Sequence, residues 1–327
     1  MQSLQFGYHL SSEEHGPAEL VRYAVGAEAA GFSFAFISDH FHPWTDRQGH
    51  SPFVWGVLGA IAMETERLVL CTGVTCPTMR THPAIIAHAA ATTAALMPGR
   101  FILGLGTGER LNEHILGAPW PTAETRREML VEAIEIIRAL WTGELVTHHG
   151  RFFTVEQARL YDLPPAPPPI FLAAGGSLMG ALAGEVADGI IAAEPSAEVV
   201  DAFSHAGTDK PRWGQMKVCW GNNESAARRT AHEWWPIASL PGRLGLELAI
   251  PSDFEAATSL VREEQVAEDV ICGPDPARYI ERVRAFADLG FERVAFHQVG
   301  PDQEGFLQFA EVELLPRLRQ LNARLPS

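Results

Sequence analysis

The stretch Phe34-Ala35-Phe36-Ile37-Ser38-Asp39-His40-Phe41-His42-Pro43-Trp44 joins an apolar run to a loop crowded with reactive side chains. Four consecutive apolar residues with no polar alternation read as a strand covered on both faces. The loop then carries an acid, two imidazoles and an indole within six residues. A chain leaving a parallel strand at its carboxyl end enters the region where α/β folds place their chemistry. Histidine exchanges protons near neutral pH, and tryptophan supplies a broad apolar wall with one N–H donor. A second stretch, Phe101-Ile102-Leu103-Gly104-Leu105-Gly106-Thr107-Gly108-Glu109, repeats the strand-then-loop plan with alternating glycines. Such glycines let a backbone approach a flat or anionic ligand, or let two strands pack closely. They do not form the dinucleotide fingerprint.

Outward from these two stretches, strand-like and helix-like segments alternate. Strands are expected near 4–10, 34–39, 68–75, 101–106, 169–174, 189–193, 215–220 and 293–298. Helices are expected near 17–30, 53–64, 83–96, 126–141, 179–187, 198–203, 225–235 and 305–321. Eight such units predict a (β/α)8 TIM barrel. A doubly wound sheet would place a glycine-rich turn after its first strand, whereas here that strand ends in Tyr8-His9-Leu10-Ser11-Ser12. Gly31, Gly99, Gly189 and Gly290 stand between a helix and the next strand, where a helix C-terminus favours glycine. One barrel domain is expected over 1–327, with insertions near 142–169 and 238–273. The first holds a short aromatic strand (Phe152, Phe153) and a proline cluster, and the second reads mainly helical. Both are expected at the active rim, where insertions often cover a ligand.

The 327 residues are 46% hydrophobic and 20% charged, which suits a globular α/β chain. No apolar run approaches the ~20 residues a membrane span needs. Met1-Gln2-Ser3-Leu4 leads straight into a strand with no secretory signal, so a cytoplasmic location is expected. A net charge of −15 disfavours nucleic acid and anionic membranes as partners. Cys71, Cys76, Cys219 and Cys272 form no metal-binding spacing, and no metal is expected. Cys71 and Cys219 sit in apolar runs and read as inert core thiols.

Together these motifs resemble the luciferase-like flavin and deazaflavin oxidoreductases, and among them the glucose-6-phosphate dehydrogenases that use coenzyme F420, an 8-hydroxy-5-deazaflavin. The similarity runs nearly end to end. It includes residues 38–44, Gly49-His50-Ser51-Pro52-Phe53, Gly104 through Glu113, Ala173-Ala174-Gly175-Gly176, Ala187-Asp188-Gly189 and Gly273-Pro274-Asp275-Pro276. The resemblance implies that His40 is the base for a substrate alcohol, that Glu109 protonates or stabilises the reduced ring, and that Trp44 packs by the reacting atoms. It places Asp39, Thr107, Gly108 and Asn112 beside the cofactor and a non-proline cis peptide at Gly73-Val74 behind its ring. Backbone at Ala174, Gly175, Gly176 and Ser177 is implied to hold the cofactor phosphate, in line with the anion affinity of a helix start. A small-molecule substrate and a homodimer are also implied. The alanines 89–91, 94 and 95 offer a small-residue face for close pairing, or pack on their own barrel.

The chain departs from that family at the substrate phosphate. Two lysines and an arginine are implied there, yet the loop after the sixth strand reads Ala193-Glu194-Pro195-Ser196-Ala197 and the helical insertion has no lysine. Only Lys210 and Lys217 occur in the chain. Arg278 or Arg282 is the candidate arginine, and Ser196 and Trp44 complete the expected substrate contacts. Trp234, Trp235, Leu240, Leu244, Leu246 and Leu248 offer an apolar pocket or helix core. A non-phosphorylated alcohol is therefore the expected substrate, or its carbonyl or enone in reverse. The alternatives are an FMN-dependent monooxygenase or reductase, a sugar-phosphate dehydrogenase, and a non-catalytic flavin-binding protein.

Overall fold

Apolar runs buried on both faces need helices on one side and a filled interior on the other, and the chain builds both. A computed structural model describes residues 4–205 and 209–322. The strands are β1 (Gln5–Leu10), β2 (Phe34–Ile37), β3 (Val69–Thr72), β4 (Phe101–Leu105), β5 (Ile170–Ala173), β6 (Gly189–Ala192), β7 (Arg212–Cys219) and β8 (Arg293–Gln298). Each is parallel to the next, and β8 returns to β1 with Tyr8 opposite Phe296. The sheet closes, so the expected (β/α)8 barrel is present.

Helices Pro17–Ala30, Val54–Glu64, Pro83–Leu96, Ala123–Leu140, Ser177–Val186, Ala197–Ser204 and Pro276–Asp288 alternate with the strands. Their ends follow local chemistry. Pro83 opens its helix while His82 Nδ1 accepts from Ala84 N at 3.1 Å. Gly31, Gly99 and Gly290 are left-handed, with φ of 97°, 74° and 74°. Gly189 differs from expectation. It lies inside β6, where a Cβ would come within 2.6 Å of the Phe171 ring, so close packing rather than a cap requires it. Ala90, Ala91 and Ala94 are buried against their own barrel, while Ala89 is half-buried and Ala95 exposed, so the alanine face serves mainly intramolecular packing.

Phe34, Phe36, Cys71, Ile102, Phe171, Ile191, Trp213 and Ala295 fill the barrel interior. Trp213 sits at its centre, with ring centroids 4.8 Å from Phe34 and 5.1 Å from Phe171. Burial pushes the Cys71 and Cys219 thiols up, as expected for inert core cysteines. The inward positions beyond this aromatic plug turn polar, beginning with His9 and His297. No described helix is long and apolar enough to cross a membrane.

The two insertions part company. Residues 146–158 form an antiparallel hairpin, Val146–His149 with Thr154–Ala158, and Phe152 and Phe153 lie in its turn rather than in a strand. The Glu132 carboxylate accepts from the backbone N–H groups of Arg151, Phe152 and Phe153, fastening the hairpin to the flank of helix Ala123–Leu140. Its Phe153 ring meets His82, the cap of helix Pro83–Leu96, edge-on at 5.5 Å. The second insertion is helical, through Leu244–Glu247, Pro251–Thr258 and Glu263–Asp269, and it does bind the loop after β2. Asp46 N donates to its Glu255 at 3.1 Å, and the preceding helix Glu224–Trp234 adds Gln48 Nε2 donating to Trp234 O at 3.2 Å and the Arg47–Glu233 pair.

The β3–β4 contact yields a test of packing. A Cβ on Gly104 would lie 1.9 Å from the Thr72 carbonyl oxygen. Gly104→Ala should destabilise the barrel by about 3 kcal/mol, the upper end of ordinary overpacking. Urea unfolding followed by circular dichroism measures this, and an unchanged midpoint would contradict the packing described.

Candidate active site

The exits of β2, β3 and β4 are drawn together by buried charge. Asp39 leaves β2 with its carboxylate held by Arg80 Nη2 at 2.8 Å and by the Thr75 hydroxyl at 2.8 Å. Arg80 N donates to Glu113 Oε2 at 2.7 Å, reaching the short helix Arg110–Glu113 beyond β4. Asn112 on that helix accepts from Phe41 N at 2.8 Å and His42 N at 3.3 Å through Oδ1. These bonds fix the backbone on both sides of His40.

His40 Nδ1 donates to the His42 carbonyl at 3.2 Å. Its Nε2 then stands between Glu13 Oε1 at 3.3 Å and Glu109 Oε2 at 3.5 Å. The two carboxyls differ in environment. Burial raises Glu13, but the His40 charge and the Ser38 hydroxyl outweigh it and hold the group down at about 2. Burial pushes Glu109 up to about 7, helped by the charges of Glu13 and Glu113 against the pull of His40. One is a fixed anion and the other sits where a proton can be given or taken near neutral pH. Trp44 lies 5.0 Å from the His40 ring, and Phe254 of the second insertion supports it edge-on at 5.2 Å.

The structure thus brings Asp39, His40, Trp44, Glu109 and Asn112 into one constellation. Gly73-Val74 is a cis peptide and adjoins the glycine run, since a Cβ on Gly106 would meet Val74 Cγ2 at 2.7 Å. Gly104, Gly106 and Gly108 are therefore first a matter of close packing, the second of the two readings their alternation allowed. Thr107 and Gly108 follow on the same exit. Gly175 and Gly176 face open space, with nothing within 4 Å of an added Cβ, at the start of the ten-residue helix Ser177–Val186. Ser177 is its first residue, and Ala174 before it is buried.

The expected substrate residues are engaged elsewhere. Ser196 Oγ caps helix Ala197–Ser204. Arg282 pairs with Glu194 at 3.0 Å, and Arg278 with Glu224 at 3.2 Å and the Cys272 carbonyl at 2.9 Å. Of the apolar insertion residues, Trp235 is core, while Leu244 is exposed. Trp234 lies under the Arg47 guanidinium. Sequence reading missed Glu13, Arg80 and Phe254, and did not single out His9, whose ring lies 4.3 Å from that of His297. His297, beside it, accepts from Gln215 Nε2 at 3.4 Å and lies 3.4 Å from Glu14 Oε2.

This is the barrel and rim geometry of a flavin-type oxidoreductase, and the comparisons with known proteins agree. Residues 3–293 match the luciferase-like monooxygenase family model, and the chain belongs to that family. It is 38% identical to the F420-dependent glucose-6-phosphate dehydrogenases of Nakamurella multipartita and Microbacterium testaceum, covering 97% of this chain and 97% and 98% of theirs. Among solved structures it superposes on an F420-dependent secondary alcohol dehydrogenase in complex with an F420–acetone adduct, with a TM-score of 0.89 and 27% identity over 97% of this chain and 99% of that one.

Glu14 offers a test of the site's electrostatics. Burial pushes it up to about 7, although the neighbouring His15 charge and the Gly300 N–H donated at 2.7 Å oppose this. Between the ordinary carboxylate range and pH 7 the folded state keeps a proton that the unfolded chain has lost. Stability therefore falls as pH rises through that window. Glu14→Gln keeps an acceptor for Gly300 N but cannot ionise. Its stability relative to the parent protein should rise by up to about 3 kcal/mol between pH 5 and pH 8. Urea midpoints at the two pH values measure this, and parallel behaviour would contradict it.

Proposed function

We propose that this enzyme moves a hydride between the carbinol carbon of a non-phosphorylated alcohol and C5 of coenzyme F420, or runs the reverse reaction on a carbonyl or enone. The relatives and the solved neighbour that act with F420 support the cofactor. So does the donor set. Gly175, Gly176 and Ser177 offer unobstructed backbone at a helix start suited to a phosphate. The Gly73-Val74 peptide stands beside Gly106, where a planar ring would lie against backbone, with Asp39, Thr107, Gly108 and Asn112 along its edge. Bound F420 supplies the hydride-accepting carbon.

The protein's part is positioning and proton management. With its Nδ1 proton committed to His42 O, the neutral His40 ring presents Nε2 as the atom that takes the alcohol proton. The Glu13 carboxylate then stabilises the imidazolium. Glu109 exchanges a proton near neutral pH on the cofactor side. Trp44, braced by Phe254, walls the reacting carbon from water. The observation that carries the substrate assignment is the pairing of Arg282 with Glu194. A sugar phosphate would need free cations there, and each charge-assisted hydrogen bond contributes about 1.5–3 kcal/mol. The relatives' glucose 6-phosphate activity is the competing reading.

A homodimer is part of the proposal. Exposed Phe53, Met63 and Ile85 on the outer faces of the early helices support it. Light scattering should give twice the chain mass, and a monomer mass in dilute solution would overturn it.

Steady-state reduction of F420 by neutral secondary alcohols and by glucose 6-phosphate tests the substrate. At least one neutral alcohol should show the higher kcat/KM, and a higher value for the sugar phosphate than for every neutral compound would overturn the assignment. His40→Ala should lower kcat by about 10²–10⁴-fold while F420 binding changes little. Near-normal turnover would pass the base role to another group.

A further inference from the structure

The barrel floor contains a cation that the proton transfers described above do not use. Side chains alternate along β7. Trp213 joins the interior cluster and Gln215 reaches His297, so Lys217, two residues on, takes the same inward face. It stands opposite His297 in the β7–β8 register. Lys217 is partly buried, and its side chain makes no hydrogen bond or ion pair with another described residue. Lys210, by contrast, donates to the Gly184 carbonyl at 2.7 Å.

Among the described residues no carboxylate pairs with Lys217. Glu13 is committed to His40 and the Ser38 and Ser11 hydroxyls. Glu14 is bound to Gly300 N and His297, and burial keeps it protonated up to about 7. Asp39 is bound to Arg80 and Thr75. Burial pushes His297 down to about 3, with the Lys217 charge adding to it, and burial and the neighbouring His297 push His9 well below its usual range, with a smaller push from Lys217. Those two imidazoles are therefore neutral, and His9 Nδ1 is buried without a hydrogen-bond partner. An ammonium and an unpaired ring nitrogen thus line β7 and β1 of the floor.

Their place in the barrel matters. In an eight-stranded barrel β7 stands across from β3. A ring seated on Gly73-Val74, as the proposed function has it, turns its free face toward β7, β8 and β1. A partly desolvated ammonium there favours an anionic oxygen over a neutral one. One lysine suits a monoanion, whereas the arginines a dianionic phosphate would need are paired with Glu194 and Glu224. We propose that Lys217 anchors a carboxylate carried by the substrate, so that the preferred substrates are hydroxy acids or the matching keto acids. His9 Nδ1, when it carries the ring proton, donates to the second carboxylate oxygen.

The inference rests on the F420-linked alcohol chemistry above, and its test separates the two. The probes are 3-hydroxybutanoate and 2-butanol, which share a carbon skeleton and differ in the carboxylate. In the parent enzyme kcat/KM for the acid should exceed that for the neutral alcohol by about tenfold or more, the worth of one charge-assisted hydrogen bond. Lys217→Met should lower this ratio at least about tenfold, mainly through KM, and Lys217→Arg should keep most of it. An unchanged ratio in Lys217→Met, or a parallel fall for both compounds, would overturn the anchor. Tryptophan fluorescence of the protein–F420 complex gives a second readout. Saturable binding of 3-hydroxybutanoate that Lys217→Met abolishes would support the anchor even without turnover, and turnover of neither compound would count against the alcohol reading alone. Absence of saturable binding to the parent complex would overturn the anchor whatever the kinetics.

Discussion

The Asp39–Arg80 pair is the interaction on which the site depends. Both side chains are nearly inaccessible, at 3% and 9% exposure. A buried ion pair is not in itself a strong source of stability, but removing one partner strands the other charge at a cost of about 3–5 kcal/mol. Here that constraint has a structural use. Asp39 ends β2, Thr75 follows β3, and Glu113 follows β4, and all three converge on one network through Arg80. The peptide between Asp39 and His42 has little freedom left once Asn112 accepts its N–H groups. His40 therefore meets two carboxylates at set distances rather than sampling a loop.

A second constraint is vertical. The aromatic plug around Trp213, backed by the Arg293 guanidinium, seals the lower barrel, and a cluster of titratable groups lies above it. Glu13, Glu14, His9 and His297 are all buried there, so small differences in hydrogen bonding separate their proton affinities widely. Glu13 stays an anion because His40 and Ser38 face it. Glu14 and Glu109 do not, because burial dominates. The helical insertion completes the enclosure from above, with Phe254 bracing Trp44 and Glu255 gripping the loop that carries it, aided by Glu233 of the preceding helix.

The barrel was legible because its strands are short apolar runs at regular spacing, and because no glycine-rich turn follows the first. His40, Trp44, Glu109 and Asn112 were legible as unusual side chains at strand exits. Glu13 was not, since Ser11-Ser12-Glu13-Glu14 reads as an ordinary polar loop and only the β1–β2 pairing sets it beside His40. Arg80 sits in Thr78-Met79-Arg80-Thr81, which has no periodic signal. Phe254 looks like any apolar helix position until the insertion folds over the rim. The hairpin's docking was not legible, because its anchor is a single acid, Glu132, on a helix whose exposed face gives no hint of a docked segment. Of the alternating glycines, the sequence left ligand approach and strand packing equally open, and the Thr72 carbonyl behind Gly104 decides for packing.

The central claim is that this luciferase-like barrel is built around a deazaflavin rather than an oxygen-activating flavin. Its most direct measurement is a pair of fluorescence titrations of the purified protein, one with F420 and one with FMN. The arrangement of His40, Trp44, Glu109 and Asn112 predicts the tighter dissociation constant for F420. Equal or tighter binding of FMN would contradict it.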